Sequence, residues 1–408
     1  MSSLSGKHRY RPADGIRTIG VAAAEKTRVA SWWRRQGDLF TRRPFNEWTF
    51  THMNWLLPTE TVRRGPTSWP LPERLRALDV TYRFDGRHYS VADLHKRTFT
   101  TAFVVLHHGE IVHEGYPGRF AGPGVRFQLF SLTKSVTSIL VGIALADGAI
   151  KSLDDKVTAY RTDFTGTAFD GPTLGDLLDM TSGVGDMESW DLPDSDIKRF
   201  EQAALGGGRV EEVVRSARRT AAPGERFNYS TLDTQVLGWV LEAATGQSLA
   251  TYAAKRLWGR IGADRDAYYW LTRTHPRTAI GAGSLNATPR DVARLGLLMA
   301  HDGELASQQI VPHDWVLRGR GRNVPHLAIG ALGPSGYDHY GYANQWWTVD
   351  EGHQAFTGLG IHGQYLFVDP ITDVVIVKLS AWPKPDDEYL DRETITALRQ
   401  ITEYLAQS

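Results

Sequence analysis

Short apolar runs of β-forming residues lie near both ends of this chain, and helical patterns lie between them. Residues 102–106 and 111–113 are joined by a His-His-Gly-Glu turn, which predicts an antiparallel hairpin. Residues 364–368 and 374–380 flank a second turn and precede a predicted helix over 393–406. Strands at both ends around a helical middle fit a sheet domain with an inserted helical domain. The pattern therefore predicts an α+β fold and not a doubly wound one.

The middle of the chain is mainly helical by its hydrophobic spacing. Its most regular segment, 131–148, carries apolar residues at a helical repeat and ends at a glycine. Shorter helices are predicted over 173–179, 232–244 and 249–258. The predicted domains are a sheet domain of residues 1–148 and 285–408, in which 1–95 is a largely extended wrapping segment, and a mainly helical domain of residues 149–284.

Composition excludes several classes of chemistry. The 408 residues include no cysteine, so the chain has no thiolate nucleophile, disulfide framework or Cys-type zinc site. The 46 basic and 46 acidic side chains cancel, which removes the long-range field of a nucleic-acid or anionic-membrane binder. The first 20 residues lack the apolar core of a signal peptide, and no later run has the length of a membrane span. We expect a cytoplasmic protein with a small-molecule partner and without nucleic acid or membrane; a homodimer is left open.

The first 95 residues are rich in tryptophan, arginine and proline. The cluster at 32–35, Trp-Trp-Arg-Arg, would suit a nucleic-acid site in which aromatic rings stack on bases. The neutral total charge favours the alternative, in which the tryptophans anchor an extended segment to the main domain.

Ser131 and Lys134 form a Ser-x-x-Lys motif at the start of the most regular helix. Residues three apart share a helix face, so the lysine amine would reach the serine hydroxyl. The helix start offers a backbone N–H and a positive dipole end for an oxyanion, and a desolvated place for the lysine. The alternative is a capping serine with a buried lysine. A second pair, Ser195 and Lys198, lies in an acidic stretch and is interpreted as a surface pair.

Tyr229 is the candidate partner for proton transfer. It lies in a loop just before the helix that is predicted to begin near Leu232. A phenol beside an ammonium can share one proton, so a Lys–Tyr pair would serve first as base and then as acid. Taken alone, a tyrosine at such a place is more often a core or capping residue.

Residues 358–363 form a Gly-x-Gly-x-x-Gly string. Because a strand and not a helix follows it, a dinucleotide site is not favoured. Glycine-rich backbone beside an edge strand instead offers N–H groups for the second half of an oxyanion hole. No Gly-x-Ser-x-Gly, His-Glu-x-x-His or Walker motif occurs, and His107, His108 and His113 have no carboxylate at ligand spacing. We predict no metal and no cofactor.

A serine with a lysine one turn later, then a tyrosine, then a glycine-rich strand resembles the serine β-lactamase, DD-peptidase and class C-like esterase superfamily. Within it, the chain is most similar to the 6-aminohexanoate-dimer hydrolases, the branch that degrades nylon oligomers. The resemblance spans most of the chain and is most specific over 360–383. Further matching segments are 46–51, 56–58, 288–296 and 345–347.

The resemblance implies a β-lactamase/transpeptidase-like fold, in which an antiparallel sheet is flanked by helices and a catalytic cleft separates it from the helical domain. It implies Ser131 as nucleophile and Lys134 with Tyr229 as the proton-handling pair. It also implies the backbone N–H groups of Ser131 and Ile361 as the oxyanion hole. The implied substrate-binding residues are Trp190, Gly360, His362 and Asp386.

Two departures from the family pattern bear on the substrate. Where the branch carries a tyrosine over the cleft, this chain has Trp190, whose indole has no hydroxyl to pass a proton, so amide cleavage is in doubt. Asp386 matches an acidic position that faces the substrate, which leaves an amine-bearing substrate open. The Lys-Thr-Gly of β-lactamases is replaced by Gly358-Leu359-Gly360, so we expect poor β-lactam turnover.

The sequence therefore predicts a metal-free serine hydrolase that forms an acyl-enzyme on Ser131. Carboxylic esters are the expected substrates, and small linear amides such as 6-aminohexanoate oligomers are a second expected class. The alternatives are a β-lactamase or DD-peptidase-like penicillin-recognising enzyme, and a non-catalytic binding protein of the same fold.

Overall fold

Strands concentrate near the two ends of the described chain, and long helices lie between them. The computed structural model describes residues 40–186, 188–321, 323–333 and 337–407. The strands are β1 (Thr59–Val62), β2 (Thr81–Phe84), β3 (Arg87–Ser90), β4 (Thr100–His107), β5 (Glu110–Gly115), β6 (Phe127–Gln128), β7 (Ala267–Trp270), β8 (Leu285–Ala287), β9 (Glu304–Leu305), β10 (Gln308–Gln309), β11 (Gly341–Ala343), β12 (Trp346–Asp350), β13 (Ala355–Gly360), β14 (Gln364–Asp369) and β15 (Val374–Ser380). The α-helices are α1 (Asn46–Thr49), α2 (Met53–Leu56), α3 (Val91–Arg97), α4 (Leu132–Ala146), α5 (Leu174–Leu178), α6 (Asp196–Gln202), α7 (Val210–Ser216), α8 (Thr231–Thr245), α9 (Leu249–Ala253), α10 (Pro289–Ala300), α11 (His313–Gly319) and α12 (Glu388–Ala406).

The main sheet has seven antiparallel strands in the order β11-β12-β13-β14-β15-β4-β5. β15 joins the two parts of the chain, since its Val377 pairs with Val104 of β4. The predicted hairpin corresponds to β4 and β5, and the strands predicted near the C-terminus correspond to β14 and β15. The sheet is therefore built from both ends of the chain, and the α+β prediction is confirmed.

Both faces of this sheet are covered, which explains the continuous apolar runs in its central strands. On β4, Val104 and Leu106 belong to the core on the α10 side, and Phe103 and Val105 to the core on the α12 side. Every residue of β4, β14 and β15 is buried. A strand buried on two faces has no polar face to alternate with. On the α12 side, β15 also buries a lysine, Lys378.

Helix α4 lies between the main sheet and the helices of the middle region. Its residues from Leu132 to Ala144 are buried because α4 contacts β13 on one side and α8 on another. A mainly apolar helix that is buried on all sides is typical of such a position. The helix ends at Ala146, and Gly148 follows with a φ of +72°. The predicted helix over 131–148 is confirmed with slightly shorter bounds.

The helices predicted for the middle region are present as α5, α8 and α9, which continues into a π-helical turn, Ala254–Trp258. A four-stranded sheet, in the order β1-β7-β8-β6, lies beside them. Its strands β7 and β8 pair across the predicted domain boundary at residues 284 and 285. The division into domains stays a prediction. In the described part of the chain, no helix has the length and apolar character needed to cross a membrane.

Residues 40–95 contain more regular structure than the largely extended segment that was predicted. β1 pairs with β7, and the hairpin of β2 and β3 packs on α12. An extended course is seen between β1 and β2, where the N–H of Arg74 donates to the carbonyl of Ile111. The tryptophan and arginine cluster at 32–35 lies outside the described residues.

Candidate active site

Ser131 lies in the turn that connects β6 to α4. Phe130, directly before it, has a φ of +48°, a left-handed conformation that is costly for a residue other than glycine. Ser131 occupies the N-cap position of α4, yet its side chain makes no capping hydrogen bond. Its Oγ instead accepts a hydrogen bond of 2.8 Å from Lys134 Nζ. The predicted contact between serine and lysine is present, and the side-chain capping bond of the alternative is absent.

Lys134 is buried, with 1% of its surface exposed. Its Nζ also donates to Thr231 Oγ1 at 3.0 Å and to the carbonyl oxygen of Ala282 at 3.1 Å. Burial lowers the pKa of the amine from 10.5 to about 8, and the carboxylate of Glu188 opposes this shift. A lysine with such a pKa can take the proton of a serine hydroxyl near neutral pH.

Tyr229 lies two residues before α8 and below the lysine amine. Its ring centroid is 5.0 Å from Lys134 Nζ, and the ring packs against that of Trp347 at 5.2 Å. Burial raises the pKa of the phenol above its usual range, while a hydrogen bond with the Ser131 side chain acts in the opposite direction. The phenol therefore stays protonated next to the nucleophile. The structure brings all three predicted catalytic residues together.

Two backbone N–H groups share the cavity of the serine. Among the described residues, no protein atom accepts a hydrogen bond from the N–H of Ser131 or of Ile361. Ile361 lies in the turn between β13 and β14, and both residues line the same cavity. Unpaired N–H groups beside a nucleophile are what an oxyanion hole requires.

β13 passes so close to the Ser131 turn that one of its positions requires glycine and a second favours it. A Cβ atom on Gly360 would lie 2.4 Å from the carbonyl oxygen of Leu129. A Cβ atom on Gly358 would lie 3.0 Å from Ser135 Oγ on α4. The strand therefore leaves little room for the lysine of a Lys-Thr-Gly motif. The chain continues from here into β14 and not into a helix, which contradicts a dinucleotide site.

Two cavities meet at Ser131. The smaller has a volume of about 80 Å³, and its walls carry aromatic rings and the carboxylates of Glu188, Asp386 and Asp391. The larger has a volume of about 550 Å³. Its apolar walls come from Phe40, Met53, Phe130, Trp190, Ile197, Phe200, Leu205, Trp270 and Ile280. A small molecule with one arm in each cavity would place its central bond at the serine.

All four predicted substrate-binding residues, Trp190, Gly360, His362 and Asp386, line these cavities. Asp386 Oδ2 accepts a hydrogen bond of 2.9 Å from the hydroxyl of Tyr337. The Trp190 ring lies 5.2 Å from Lys198 Nζ, at the distance of a cation–π contact. Their roles in binding stay predictions.

The fourth residue, His362, differs because its side chain is fully buried. Its Nδ1 lies 2.9 Å from the carbonyl oxygen of Trp382, and its ring packs against Phe130 at 5.5 Å. His362 forms part of the wall of the larger cavity. From this position the His362 ring supports the Ser131 turn by packing against Phe130. A role of His362 in substrate binding stays a prediction.

The second Ser-x-x-Lys pair has no comparable geometry. The Ser195 side chain accepts a hydrogen bond from the N–H of Lys198 and so caps α6. Lys198 Nζ lies 3.5 Å from Glu201. The serine hydroxyl thus serves the helix start and not the lysine amine.

The histidines of the β4–β5 hairpin also belong to another part of the molecule. The rings of His107 and His108 stack at 4.0 Å, and His108 Nδ1 lies 3.4 Å from Asp373 Oδ2. Among the residues that the structure describes, no group of three or more His, Asp or Glu side chains is arranged to hold a metal ion.

Glu188 and Thr231 belong to the site without having been predicted as part of it. Thr231 is the first residue of α8, and its backbone N–H donates to Glu188 Oε1. Thr231 follows Tyr229 by two residues at a helix start, which is a weak signal. Nothing in the local sequence marks Glu188, because its loop reaches the lysine only through folding.

Comparison with known proteins agrees with this geometry. The Beta-lactamase family model matches residues 89–400. A 6-aminohexanoate-dimer hydrolase from Paenarthrobacter ureafaciens is 33% identical over 390 residues, which cover 91% of this chain and 92% of that protein. A solved structure from Bacillus anthracis, provisionally named a 6-aminohexanoate-dimer hydrolase, superposes with a TM-score of 0.81 at 28% identity, over 90% of this chain and 96% of the other. EstCE1, a hydrolase with promiscuous acyltransferase activity, shares the fold at 16% identity and a TM-score of 0.60, over 78% of this chain and all of the other, 100%. The predicted β-lactamase-like fold is confirmed.

Proposed function

The chain belongs to the β-lactamase family and is a serine hydrolase, and from this premise we propose that it acts through an acyl-enzyme on Ser131. The observation that carries the proposal is the 2.8 Å hydrogen bond between Lys134 Nζ and Ser131 Oγ, at the point where two cavities meet. The serine hydroxyl supplies the nucleophile, and the buried amine beside it, with its lowered pKa, supplies the base.

The reaction proceeds by acyl transfer to Ser131 and then to water. Ser131 Oγ attacks the carbonyl carbon while the pair of Lys134 and Tyr229 takes the hydroxyl proton. The carbonyl electron pair moves onto oxygen, where the N–H groups of Ser131 and Ile361 hold it. When the carbonyl re-forms, the bond to the leaving group breaks and the leaving group receives the proton. Water then attacks the acyl-enzyme by the same steps and releases a carboxylic acid and the free serine.

Carboxylic esters are the substrates that these groups suit best. An alkoxide departs readily, whereas an amine departs only when a donor protonates it. Trp190 lines both cavities but offers only an indole N–H, which cannot add a second proton donor to the pair of Lys134 and Tyr229. Small linear amides such as 6-aminohexanoate oligomers are the second substrate class. The sequence relative with that activity in its name supports them, as does Asp386, whose carboxylate can pair with an amine.

The strand geometry disfavours the penicillin-recognising alternative. β13 leaves little room at Gly358 for a lysine that would meet the carboxylate of a β-lactam. The carboxylates of Glu188, Asp386 and Asp391 in the smaller cavity would repel that carboxylate. The contact between Ser131 and Lys134 disfavours the non-catalytic alternative, since a binding protein has no need of a desolvated base at a serine.

Pre-steady-state cleavage of p-nitrophenyl acetate or butyrate tests the acyl-enzyme. We expect a burst of p-nitrophenol equivalent to the enzyme, and its loss in Ser131→Ala. Ser195→Ala is the matched control: it removes the serine of the other Ser-x-x-Lys pair and costs a helix cap, about 1 kcal/mol, but should retain the burst. Undiminished ester cleavage in Ser131→Ala would refute the proposal.

A further inference from the structure

The amine of Lys134 has neutral hydrogen-bond partners. Its three acceptors are two hydroxyl oxygens, from Ser131 and Thr231, and the carbonyl oxygen of Ala282. They satisfy the three donors of an ammonium group, but none of them carries a charge to balance it. A neutral amine at the same place would keep two donors and turn its lone pair to the Ser131 hydroxyl. The protonation state of this amine therefore decides whether Ser131 Oγ receives a hydrogen bond or can lose its proton.

The position of Glu188 allows its carboxylate to influence the protonation of the Lys134 amine. Among the described residues, it is the one carboxylate that acts electrostatically on the Lys134 amine. It is held in place by Thr231, whose backbone N–H donates to Glu188 Oε1 while its Oγ1 accepts from Lys134 Nζ at 3.0 Å. One residue at the start of α8 thus anchors both the carboxylate and the amine.

We propose that Glu188 is a positioning residue for acylation, whose carboxylate acts through Lys134 to set the balance between the ammonium that donates to Ser131 and the amine that accepts its proton. This inference rests on the proposed acyl-enzyme function. The carboxylate itself takes no proton from the substrate and forms no bond to it.

The other ionisable groups near Glu188 have partners of their own. Tyr229, Tyr342, Asp233 and Asp386 all lie within its electrostatic reach. Asp233 accepts a hydrogen bond of 2.8 Å from Ser182 Oγ, and burial raises its pKa well above the usual range. Asp386 is bound to the Tyr337 hydroxyl. Tyr229 is kept as a neutral phenol by burial. Burial raises the pKa of Glu188, and the Lys134 ammonium opposes that rise. Because Tyr229 stays neutral with or without Glu188, removing this carboxylate changes chiefly the protonation of the lysine.

Glu188→Gln tests the inference, because glutamine keeps an oxygen for the N–H of Thr231 and removes the charge. Without the carboxylate, the ammonium form of Lys134 loses its stabilisation, and the neutral amine persists to lower pH. We expect the acid limb of kcat/KM for p-nitrophenyl butyrate to move to lower pH by about one to three units, the effect of one nearby charge. The second-order rate of fluorophosphonate labelling should show the same shift without requiring turnover. Glu188→Asp, which restores the charge, should return the limb toward its original position.

Glu201→Gln is the matched control, since it removes one carboxylate from the wall of the larger cavity, where Glu201 pairs with Lys198. Its acid limb should stay in place. A limb that does not move in Glu188→Gln, or that moves to higher pH, overturns the inference. A folded Glu188→Gln variant that is labelled at no pH overturns it as well, since Glu188 would then act in more than the balance of charge. Because Ser131→Ala separately decides whether Ser131 is the nucleophile, failure here leaves the acyl-enzyme proposal standing.

Discussion

The Lys134 amine shows how a single residue links burial to chemistry. An exposed lysine is protonated far above neutral pH and cannot act as a base. Burial lowers the pKa of Lys134 to about 8, so a useful fraction of neutral amine exists near neutral pH. A salt bridge as close as the serine would have had the opposite effect and kept the lysine charged.

The pH dependence of the wild-type enzyme follows from this value. Because the neutral amine is the reactive form, kcat/KM for an ester should rise with pH and reach half of its plateau near pH 8, the pKa of Lys134 in the folded protein. A pH–rate profile between about pH 6 and pH 10 with p-nitrophenyl butyrate measures it. A profile that is flat over this interval would contradict the assignment of Lys134 as base.

Trp190 permits a prediction about amides and esters. Trp190→Tyr introduces a hydroxyl at the cleft, which can protonate a departing amine. We expect amide turnover to rise relative to ester turnover by about 100-fold, the lower end of what a positioned general acid contributes. Trp190→Phe keeps an aromatic ring without a proton donor and should leave the ratio unchanged. An unchanged ratio in Trp190→Tyr would remove the role assigned to the missing hydroxyl.

The residues of the site differ in how visible they are in the sequence. Ser131 and Lys134 are marked by helical spacing, because residues three apart on a helix must share a face. Tyr229 is marked only by the family resemblance and by its place before a helix. Glu188 and Thr231 carry no local pattern, since their contact depends on how the loop over the cleft meets the start of α8. Such contacts between distant segments are decided by tertiary packing.

At the scale of elements, the close passage of β13 by the Ser131 turn is the feature most sensitive to substitution. In Gly360→Ala, the new Cβ atom would lie 2.4 Å from the backbone carbonyl of Leu129, so strand and turn must separate. The N–H of Ile361 would move with the strand, and kcat should fall by about 100-fold, as expected for a misplacement near 1 Å.

Gly115→Ala is the control for this substitution. Gly115 also ends a strand of the main sheet, but its Cβ atom would meet only His113 Nε2, at 3.8 Å. Ester turnover of the two variants, together with circular dichroism to verify folding, separates the local clash from a general effect of alanine. Equal kcat values in Gly360→Ala and the wild type would show that the oxyanion site tolerates the displacement.

The same scale explains which elements the sequence predicts well. β15 has the predicted bounds, Val374–Ser380, because burial on both faces leaves an uninterrupted apolar run between turn residues. β1 was missed because four residues carry little pattern, and its partner β7 lies about 200 positions later in the chain. Short strands whose pairing is distant depend on the fold for their existence.

At the scale of the whole molecule, the core of the main sheet contains a charge-bearing residue outside the active site. Lys378 on β15 is fully buried, and its Nζ donates to Ser380 Oγ at 2.6 Å. Burial lowers its pKa from 10.5 to about 7, against the opposing influence of Glu393 and Asp391 on α12. Between these pH values the unfolded chain holds a proton that the folded chain lacks. This group therefore makes stability rise as the pH rises from about 7 to 10.5.

Lys378→Met should remove this dependence. We expect a higher free energy of unfolding than in the wild type below pH 7, with a difference of about 1.4 kcal/mol per unit of pKa shift, which narrows as the pH approaches 10.5. Urea unfolding of both proteins across this range measures the difference. Lys255→Met, at an exposed lysine, should give a nearly constant difference. A constant difference for Lys378→Met would show that Lys378 is charged in the folded protein.

The pairing of β15 with β4 has a consequence for the synthesis of this protein. The inner edge of β4 and the surface of α4 that meets β13 both depend on residues made more than 200 positions later. During translation, the nascent chain presents an open strand edge and an apolar helix until the last third has left the ribosome. The enzyme therefore completes its nucleophile site only after release of nearly the whole chain, and slow elongation over 300–380 prolongs the period in which these surfaces are exposed.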